Sequence, residues 1–181
     1  MNIAEPQLIS SRFHYFSLLP EDLTHFTALY CDPGIMLKIM QPLSEQEAKR
    51  LFQMVTCNTQ TQPAHFFKVV DPKDRATLGV MGFLPQEDHQ LHGTTAEFGI
   101  LLYPEFYGNG TAKEAITTLL TYGFEKLGLD SAYAKYEENN EAIGRIAKFL
   151  HFNIDTMASN ADKRICRIKK HTFLDNLTRT C

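Results

Sequence analysis

The sequence predicts an α+β fold: a central, mostly antiparallel mixed sheet of about six to seven strands, flanked by about four helices. Two observations carry most of that reading. Short apolar runs at 66–70, 78–84 and 96–103 are separated by turn-rich segments, Asp71-Pro72-Lys73-Asp74 and Gln86 to Gly93, which marks three successive antiparallel strands. Between Thr111 and Leu127, Ala112, Ala115, Ile116, Leu119, Leu120, Gly123, Phe124 and Leu127 recur at i, i+3, i+4 and i+7, which marks a long helix with one buried face. With the flanking segments the order reads β α α β β β α β α β β, a mixed sheet with helices on its faces.

Taken from the N-terminus, residues 12–19 are aromatic-rich and read as a strand, after which Pro20 can open a helix over Glu21 to Tyr30. Asp32-Pro33-Gly34 is a turn. Ser44 with Glu47 three residues later forms a capping box, and Ala48, Leu51, Phe52 and Val55 repeat at helical spacing, so a second helix covers about 45–57. After the three strands and the long helix, Gly128 supplies a C-terminal stop. A strand at 132–136, a short helix at about 141–150 through Ile143, Ile146, Ala147 and Leu150, and strands near 152–157 and 164–170 complete the order.

The chain has 181 residues, which suits one domain spanning 1–181, and its hydrophobic fraction of 44% and charged fraction of 22% are those of a globular protein. No repeat or low-complexity tract divides it. With 18 basic against 21 acidic residues and a net charge of -3, it has no global field to collect a phosphate backbone, which argues against a nucleic-acid partner. The N-terminal residues lack a basic start and apolar stretch, and no apolar run approaches the ~18 residues that span a bilayer, so the expected location is the cytoplasm, with no membrane partner. Cys31, Cys57, Cys166 and Cys181 lack the paired spacing of a zinc site and are expected as thiols. His89 and His92 stand at H-x-x-H spacing in a polar hairpin without a third ligand, so no metal is expected.

The informative junction is Tyr103 to Ala112, where a buried strand turns through Gly108 and Gly110 into the long helix. The glycines permit positive φ and close approach to bare backbone, and the unpaired N–H groups of a first helical turn, with the helix dipole, favour an anion at that mouth. No Gly-Lys-Ser/Thr follows, so the loop is not a P-loop, and the third glycine of a Rossmann fingerprint is missing.

Three linked segments extend this signal: Glu97-Phe98-Gly99-Ile100-Leu101-Leu102-Tyr103-Pro104, Tyr107-Gly108-Asn109-Gly110-Thr111-Ala112-Lys113-Glu114-Ala115, and Tyr122-Gly123-Phe124-Glu125-Lys126-Leu127-Gly128-Leu129. In order and spacing they resemble the GNAT superfamily of acyl-CoA-dependent N-acetyltransferases, in the branch of ribosomal-protein N-terminal acetyltransferases of the RimJ/RimL type. Asn140 and Arg145 fit that family's N-x-x-S-x-R segment. The resemblance implies a GNAT fold with acetyl-CoA as co-substrate. It implies that Tyr107, Gly108, Asn109, Gly110, Thr111 and Ala112 cradle a pyrophosphate, that backbone around Leu101, Leu102 and Tyr103 pairs with the pantetheine arm, and that Asn140 joins the cofactor site. Independently, an interior Gly99 marks a bulge or a close backbone approach.

Acyl transfer to an amine requires the amine neutral, the carbonyl polarised and a proton for the departing thiolate. An α-amine with a pKa of ~7.7 to 8.0 is roughly a tenth neutral at pH 7, whereas a lysine is so about once in 2,500, a difference of roughly 3.4 kcal/mol that a base or desolvation must supply. The expected acceptor is therefore a protein N-terminal amine or a small primary amine; aminoglycosides or polyamines are the alternative small-molecule class. Family resemblance makes Glu97 a base acting through water, against the alternative of a solvated strand residue. A strand N–H near Leu101 is the expected carbonyl donor. No acid is evident on the short helix, because Ile143 and Ala147 occupy the family's serine and tyrosine positions; Tyr107, Tyr133 and Tyr136 are the phenols available. Glu105 stands where a basic or amide residue is common. Met36, Met40 and Met54 either line an acceptor cleft or fill the core. The rival to an enzyme is an acyl-CoA-binding module whose catalysis has lapsed, and the expected assembly is a monomer or a homodimer.

Overall fold

A computed structural model describes residues 5–56, 65–84, 94–154 and 163–180. Its strands are β1 (Leu8–Ile9), β2 (His14–Ser17), β3 (His65–Val70), β4 (Thr77–Phe83), β5 (Thr95–Leu102), β6 (Ser131–Glu137), β7 (Asn153–Ile154) and β8 (Lys163–Lys169). Its helices are α1 (Leu23–Cys31), α2 (Pro33–Met36), α3 (Glu45–Thr56), α4 (Thr111–Glu125), α5 (Glu141–Phe149) and α6 (Lys170–Thr180). The strands form one 8-stranded sheet in the order β1-β2-β3-β4-β5-β6-β8-β7, antiparallel except for the parallel pair β5–β6. The described part is thus the expected mixed α/β architecture, with more elements than the sequence indicated.

The local chemistry explains the additions. The turn expected at Asp32-Pro33-Gly34 is the start of α2, where Asp32 Oδ1 accepts from Gly34 N at 2.7 Å and Pro33 occupies the first turn. The Ser44–Glu47 box forms at the start of α3: Ser44 N donates to Glu47 Oε2 at 2.8 Å and Glu47 N to Ser44 Oγ at 3.3 Å. The Ser44 hydroxyl, which also donates to Glu47 Oε2 at 2.6 Å, and then the Ser44 amide hold the Glu47 carboxyl below the usual carboxylate range. Pro20 opens a 3₁₀ turn (Pro20–Asp22) ahead of α1, and the buried Asp22 meets Lys68 Nζ at 2.7 Å. Gly128 ends the α4 segment at φ 71, as expected. No helix among the described residues is long and apolar enough to cross a membrane.

The sheet separates two cores. On one face Ile116, Leu119, Leu120 and Phe124 of α4 pack with Phe98, Leu102, Ala132 and Ile168; on the other Phe26 and Leu29 of α1 and Phe52 and Val55 of α3 pack with Phe66, Val80 and Leu101. Successive β5 side chains therefore anchor opposite layers, which fixes the strand's register against slippage.

The bulge expected at Gly99 lies elsewhere. Gly99 pairs regularly with Gly82, and a Cβ there would stand in open space. The irregularity is between β3 and β4 at Val69/Val70, beside Gly79. A Cβ on Gly79 would lie 2.0 Å from the Leu101 carbonyl oxygen and 2.8 Å from Leu102 Cα, so the close approach belongs to the neighbouring strand. Gly79→Ala is expected to cost about 3 kcal/mol in chemical denaturation, because the atoms in the way are backbone and can yield only by moving β5.

Candidate functional site

The parallel pairing of β5 and β6 extends only over Thr95, Ala96 and Glu97 opposite Ser131, Ala132 and Tyr133; beyond it both strands continue and diverge. The open wedge is edged by unpaired backbone. On its other side β5 pairs with β4, and the bonds Leu84 N to Glu97 O (2.8 Å) and Tyr103 N to Leu78 O (2.9 Å) fix the parity. Odd residues of β5 bond to β4, so Leu101 pairs with Val80; the Phe98 N–H belongs to the last β5–β6 pairing, and Ile100 and Leu102 direct N–H and C=O into the wedge. Leu101's own amide faces β4 and is not the donor expected near it; the amides open to the wedge are those of its neighbours Ile100 and Leu102. Tyr103 N is likewise committed to Leu78, while its hydroxyl lies 2.9 Å from His25 Nδ1.

The strand-to-helix junction has the expected backbone. Gly108, Asn109 and Gly110 take φ of 83, 46 and 73, and Gly110 is the N-cap of α4 with no side-chain cap. Asparagine tolerates this left-handed region, and glycine enters it freely. Thr111 N donates to Gly108 O and Glu114 N to Gly110 O, whereas the amides of Gly110, Ala112 and Lys113 have no acceptor among the described residues. Thr111 itself is buried, Tyr107 is exposed, and Glu105 is exposed in the 3₁₀ turn Pro104–Phe106.

A residue the sequence reading overlooked braces this loop. Arg12, in the turn between β1 and β2, donates through its amide to Glu114 Oε1 (2.9 Å) and through Nε to Oε2 (2.7 Å); Ser10 Oγ donates to Oε1 (2.7 Å). Burial works to raise the Glu114 carboxyl, but the bonds from Ser10 and Arg12 outweigh it and hold the group below its ordinary range. A depressed carboxyl contributes stability above its unfolded pKa that is lost as pH falls through its folded one. Arg12→Ala should therefore destabilise the protein at neutral pH by less than ~1 kcal/mol, since the guanidinium is largely solvated. The difference from the parent should vanish on acidification below the ordinary carboxylate range of about pH 4, as read by urea unfolding from pH 7 downward.

Two cavities meet in the wedge. The first, of about 410 Å³, runs from Gly108 and Ala112 past Ile100 and Leu102 to Asn140 and Ile146. Asn140 caps α5: its Oδ1 accepts from Ile143 N at 3.3 Å and its Nδ2 donates to Lys38 O at 3.1 Å, so its amide serves the wall of the cavity. The second, of about 580 Å³, lies on the α1–α3 side and is bounded by Glu97, Gly99, Lys135, Glu47 and Arg50. Met36, Met40 and Met54 all line it. Ile39, Ile100, Leu101 and Ile143 border both cavities, so the seam between them is aliphatic. Bare Gly99 leaves the floor open between Glu97 and Leu101.

Glu97 projects onto this second cavity and its Oε2 lies 2.8 Å from Lys135 Nζ. The bond to Glu97 raises the lysine's pKa despite partial burial. Tyr133 flanks the pair; burial first, then the Glu97 charge, pushes its phenol up, which keeps it protonated. Tyr136 lines the cavity, and Ala147 is buried. Among the described residues no cysteine lines either cavity and no group of acidic, histidine or cysteine side chains could hold a metal. His89, His92, Cys57 and Cys181 lie outside the described residues.

A sheet splayed beside a glycine-rich helix start, with paired cavities meeting in the splay, matches a known pattern. The sequence pattern of the acetyltransferase (GNAT) domain matches residues 15–153. The chain belongs to the GNAT acetyltransferase family. Among relatives of this acetyltransferase, an uncharacterized N-acetyltransferase p20 of Bacillus licheniformis is 25% identical over 147 residues, covering 79% of this chain and 80% of that protein. The uncharacterized protein YkkB of Bacillus subtilis (strain 168) is 26% identical over 174 residues, 94% of this chain and 98% of its own. Among solved structures, an acetyltransferase from Agrobacterium tumefaciens superposes with TM-score 0.75 at 20% identity, over 93% of this chain and 96% of that one. A spermidine N-acetyltransferase from Vibrio cholerae, in complex with CoA and spermine, superposes with TM-score 0.73 at 21% identity, over 91% and 99%.

Proposed function

We propose that this acetyltransferase moves an acetyl group from acetyl-CoA to a primary amine, with a protein N-terminal α-amine as acceptor, by direct transfer in a ternary complex. The observation that carries the reading is the meeting of two cavities at the β5–β6 wedge, one against free helix-start amides and the other beside a carboxylate. The residues fit the co-substrate. Amides of Gly110, Ala112 and Lys113 offer a diphosphate three donors at the positive end of α4, and open space at Gly108 lets it approach backbone. The edge of β5 offers Ile100 and Leu102 to an extended amide-bearing arm in the manner of an added strand.

When bound, acetyl-CoA supplies an activated thioester acyl group. The chain supplies position and proton traffic: the Ile100 N–H offers a donor to a carbonyl oxygen in the wedge, and Glu97 takes the amine's proton through water. The aliphatic seam limits bulk solvent at the transfer point to the water that links the amine to Glu97. The absence of a cysteine on either wall among the described residues favours direct transfer over a covalent relay. The motif runs at 97–104, 107–115 and 122–129 support the RimJ/RimL-type branch and hence the protein N-terminus; the likeness to a spermidine N-acetyltransferase keeps a small amine as the second reading.

The test has two stages. Acetyl-CoA at 100 times its dissociation constant should add ~2.7 kcal/mol, or roughly 5 to 10 °C in melting temperature. Thiol release with a panel of N-terminal peptides and amines should then show turnover. No shift at millimolar cofactor overturns the reading, and a shift without turnover on any amine leaves a binding module in its place.

A further inference from the structure

The acceptor cavity has an unusual charge balance for a site that receives an amine. Its described carboxylates are both engaged: Glu97 with Lys135 at 2.8 Å, and Glu47 with the amide and hydroxyl of Ser44. The cations that line it are Arg50, Lys135 and Lys163, so the cavity carries no surplus of negative charge to attract an amine. Lys163 Nζ lies 3.9 Å from Glu137, and Arg50, though in no close ion pair with a described residue, acts electrostatically on Glu47 one helical turn away. Arg50 stands on the face of α3 that carries Glu47, Leu51 and Met54 at helical spacing, and this face borders the cavity.

We propose that Lys135 determines acceptor specificity: its ammonium, fixed at Glu97 where β5 and β6 part, selects monoamines with an acidic neighbouring group and rejects polycations, with Arg50 receiving the acidic group. The inference rests on the amine-acetyltransferase reading above. Lys135 sits on β6 two residues past the last β5–β6 pair, on the same face as Tyr133, so it spans the vertex of the wedge toward the carboxylate. A second cationic centre on an acceptor would meet Lys135 and Arg50 with no uncommitted described carboxylate on the cavity wall to receive it, and like charges in a partly desolvated cleft repel. The same ammonium disfavours the protonated form of the incoming amine and so favours its nucleophilic form.

The titratable and charged groups that line the cavity are Tyr30 from α1, Glu47 and Arg50 from α3, Glu97 from β5, Lys135 and Tyr136 from β6, and Lys163 from β8, with Tyr133 beside Glu97 and Lys135. Only the lysine is both cationic and in contact with the candidate base. It therefore acts as a positioning and selecting residue.

The experiment compares the parent chain, Lys135→Gln, Lys135→Arg and Arg50→Gln by thiol release. The acceptors are a peptide with Asp at its second position, the same peptide with Lys there, and spermidine. The parent should prefer the Asp peptide over both others by ~10-fold or more in kcat/KM. Lys135→Gln should shrink that ratio at least ~5-fold, chiefly through acceptor KM, and move the acidic limb of the kcat–pH profile for the Asp peptide up by ~1 unit. Lys135→Arg should restore both, which a merely structural loss would not. Arg50→Gln, on an exposed helix position, should lower the preference for the Asp peptide ~2- to 3-fold and leave the cofactor-induced melting shift intact. A parent ratio near one, a preference for spermidine, or a Lys135→Gln ratio equal to the parent's overturns the inference while amine acetylation stands. A parent that binds acetyl-CoA yet turns over no amine overturns both.

Discussion

Gly110→Val is expected to eliminate the acetyl-CoA-induced melting shift, corresponding to at least ~100-fold weaker binding. Gly110 holds φ 73 at the N-cap of α4, and a β-branched residue is an outlier in that region, costing roughly 1 to 2 kcal/mol or more. The nearest atom to a Cβ there is an Arg12 guanidinium nitrogen at 3.8 Å, an ordinary contact, so the substitution is opposed by backbone conformation rather than by collision. The chain relieves that cost by rotating the N-cap peptide, and the amides of Gly110 and Ala112 turn with it. The buried face of α4, from Ala115 to Phe124, lies beyond the change. The unliganded protein should therefore still unfold cooperatively, a few degrees lower. Gly110→Ala should show the same trend more weakly. Thermal unfolding with increasing acetyl-CoA checks both, and an undiminished shift for the valine variant would remove the helix start from the cofactor site.

The backbone of that helix start was legible in sequence. Two glycines ahead of a strongly periodic helix specify left-handed backbone and bare amides, and both are present. The layered fold was legible for the same reason, since the i, i+3, i+4 pattern of α4 and the apolar runs of β3 to β5 each report a buried face. What escaped was anything set by pairing across the sheet. The parity that turns Leu101 toward Val80 and Ile100 toward the wedge depends on the β4–β5 register, which residue types alone do not state. The ion pair of Glu97 with Lys135 joins residues far apart in sequence and depends on where β6 leaves β5.

A local signal did exist for other features. Asp32-Pro33 is an N-cap followed by a first-turn proline and so announces α2 as readily as a turn. His151 holds φ 58 just past α5, a left-handed C-terminal position of the kind glycine fills most readily, but a histidine there gives no such signal in the sequence. Helix α6 contains the buried Phe173 with Leu174 and Leu177 beside it, a spacing of 3 to 4 that only the packing against Phe124 makes decisive.

Glu97→Gln is expected to lower kcat by roughly 10²- to 10⁴-fold while leaving acetyl-CoA binding unchanged, the range for loss of a positioned general base. The amide matches the carboxylate in shape and can still accept from Lys135 Nζ, so the wall of the cavity should persist. Lys135 is about half exposed and can be solvated once its counter-charge is gone, which keeps the stability change small. The loss should depend on pH in a way that identifies the role. Where the acceptor is mostly protonated, the base has a proton to remove and its absence is felt in full; above the amine's own pKa the nucleophile is already neutral and the defect should narrow. For a peptide α-amine that narrowing should begin near pH 8, and for a lysine acceptor only above pH 10. Steady-state thiol release from pH 6 to 10 checks this: the defect should narrow for the peptide α-amine and stay level for lysine, and a defect that is constant across the range for the α-amine would assign Glu97 to holding Lys135 rather than to proton transfer.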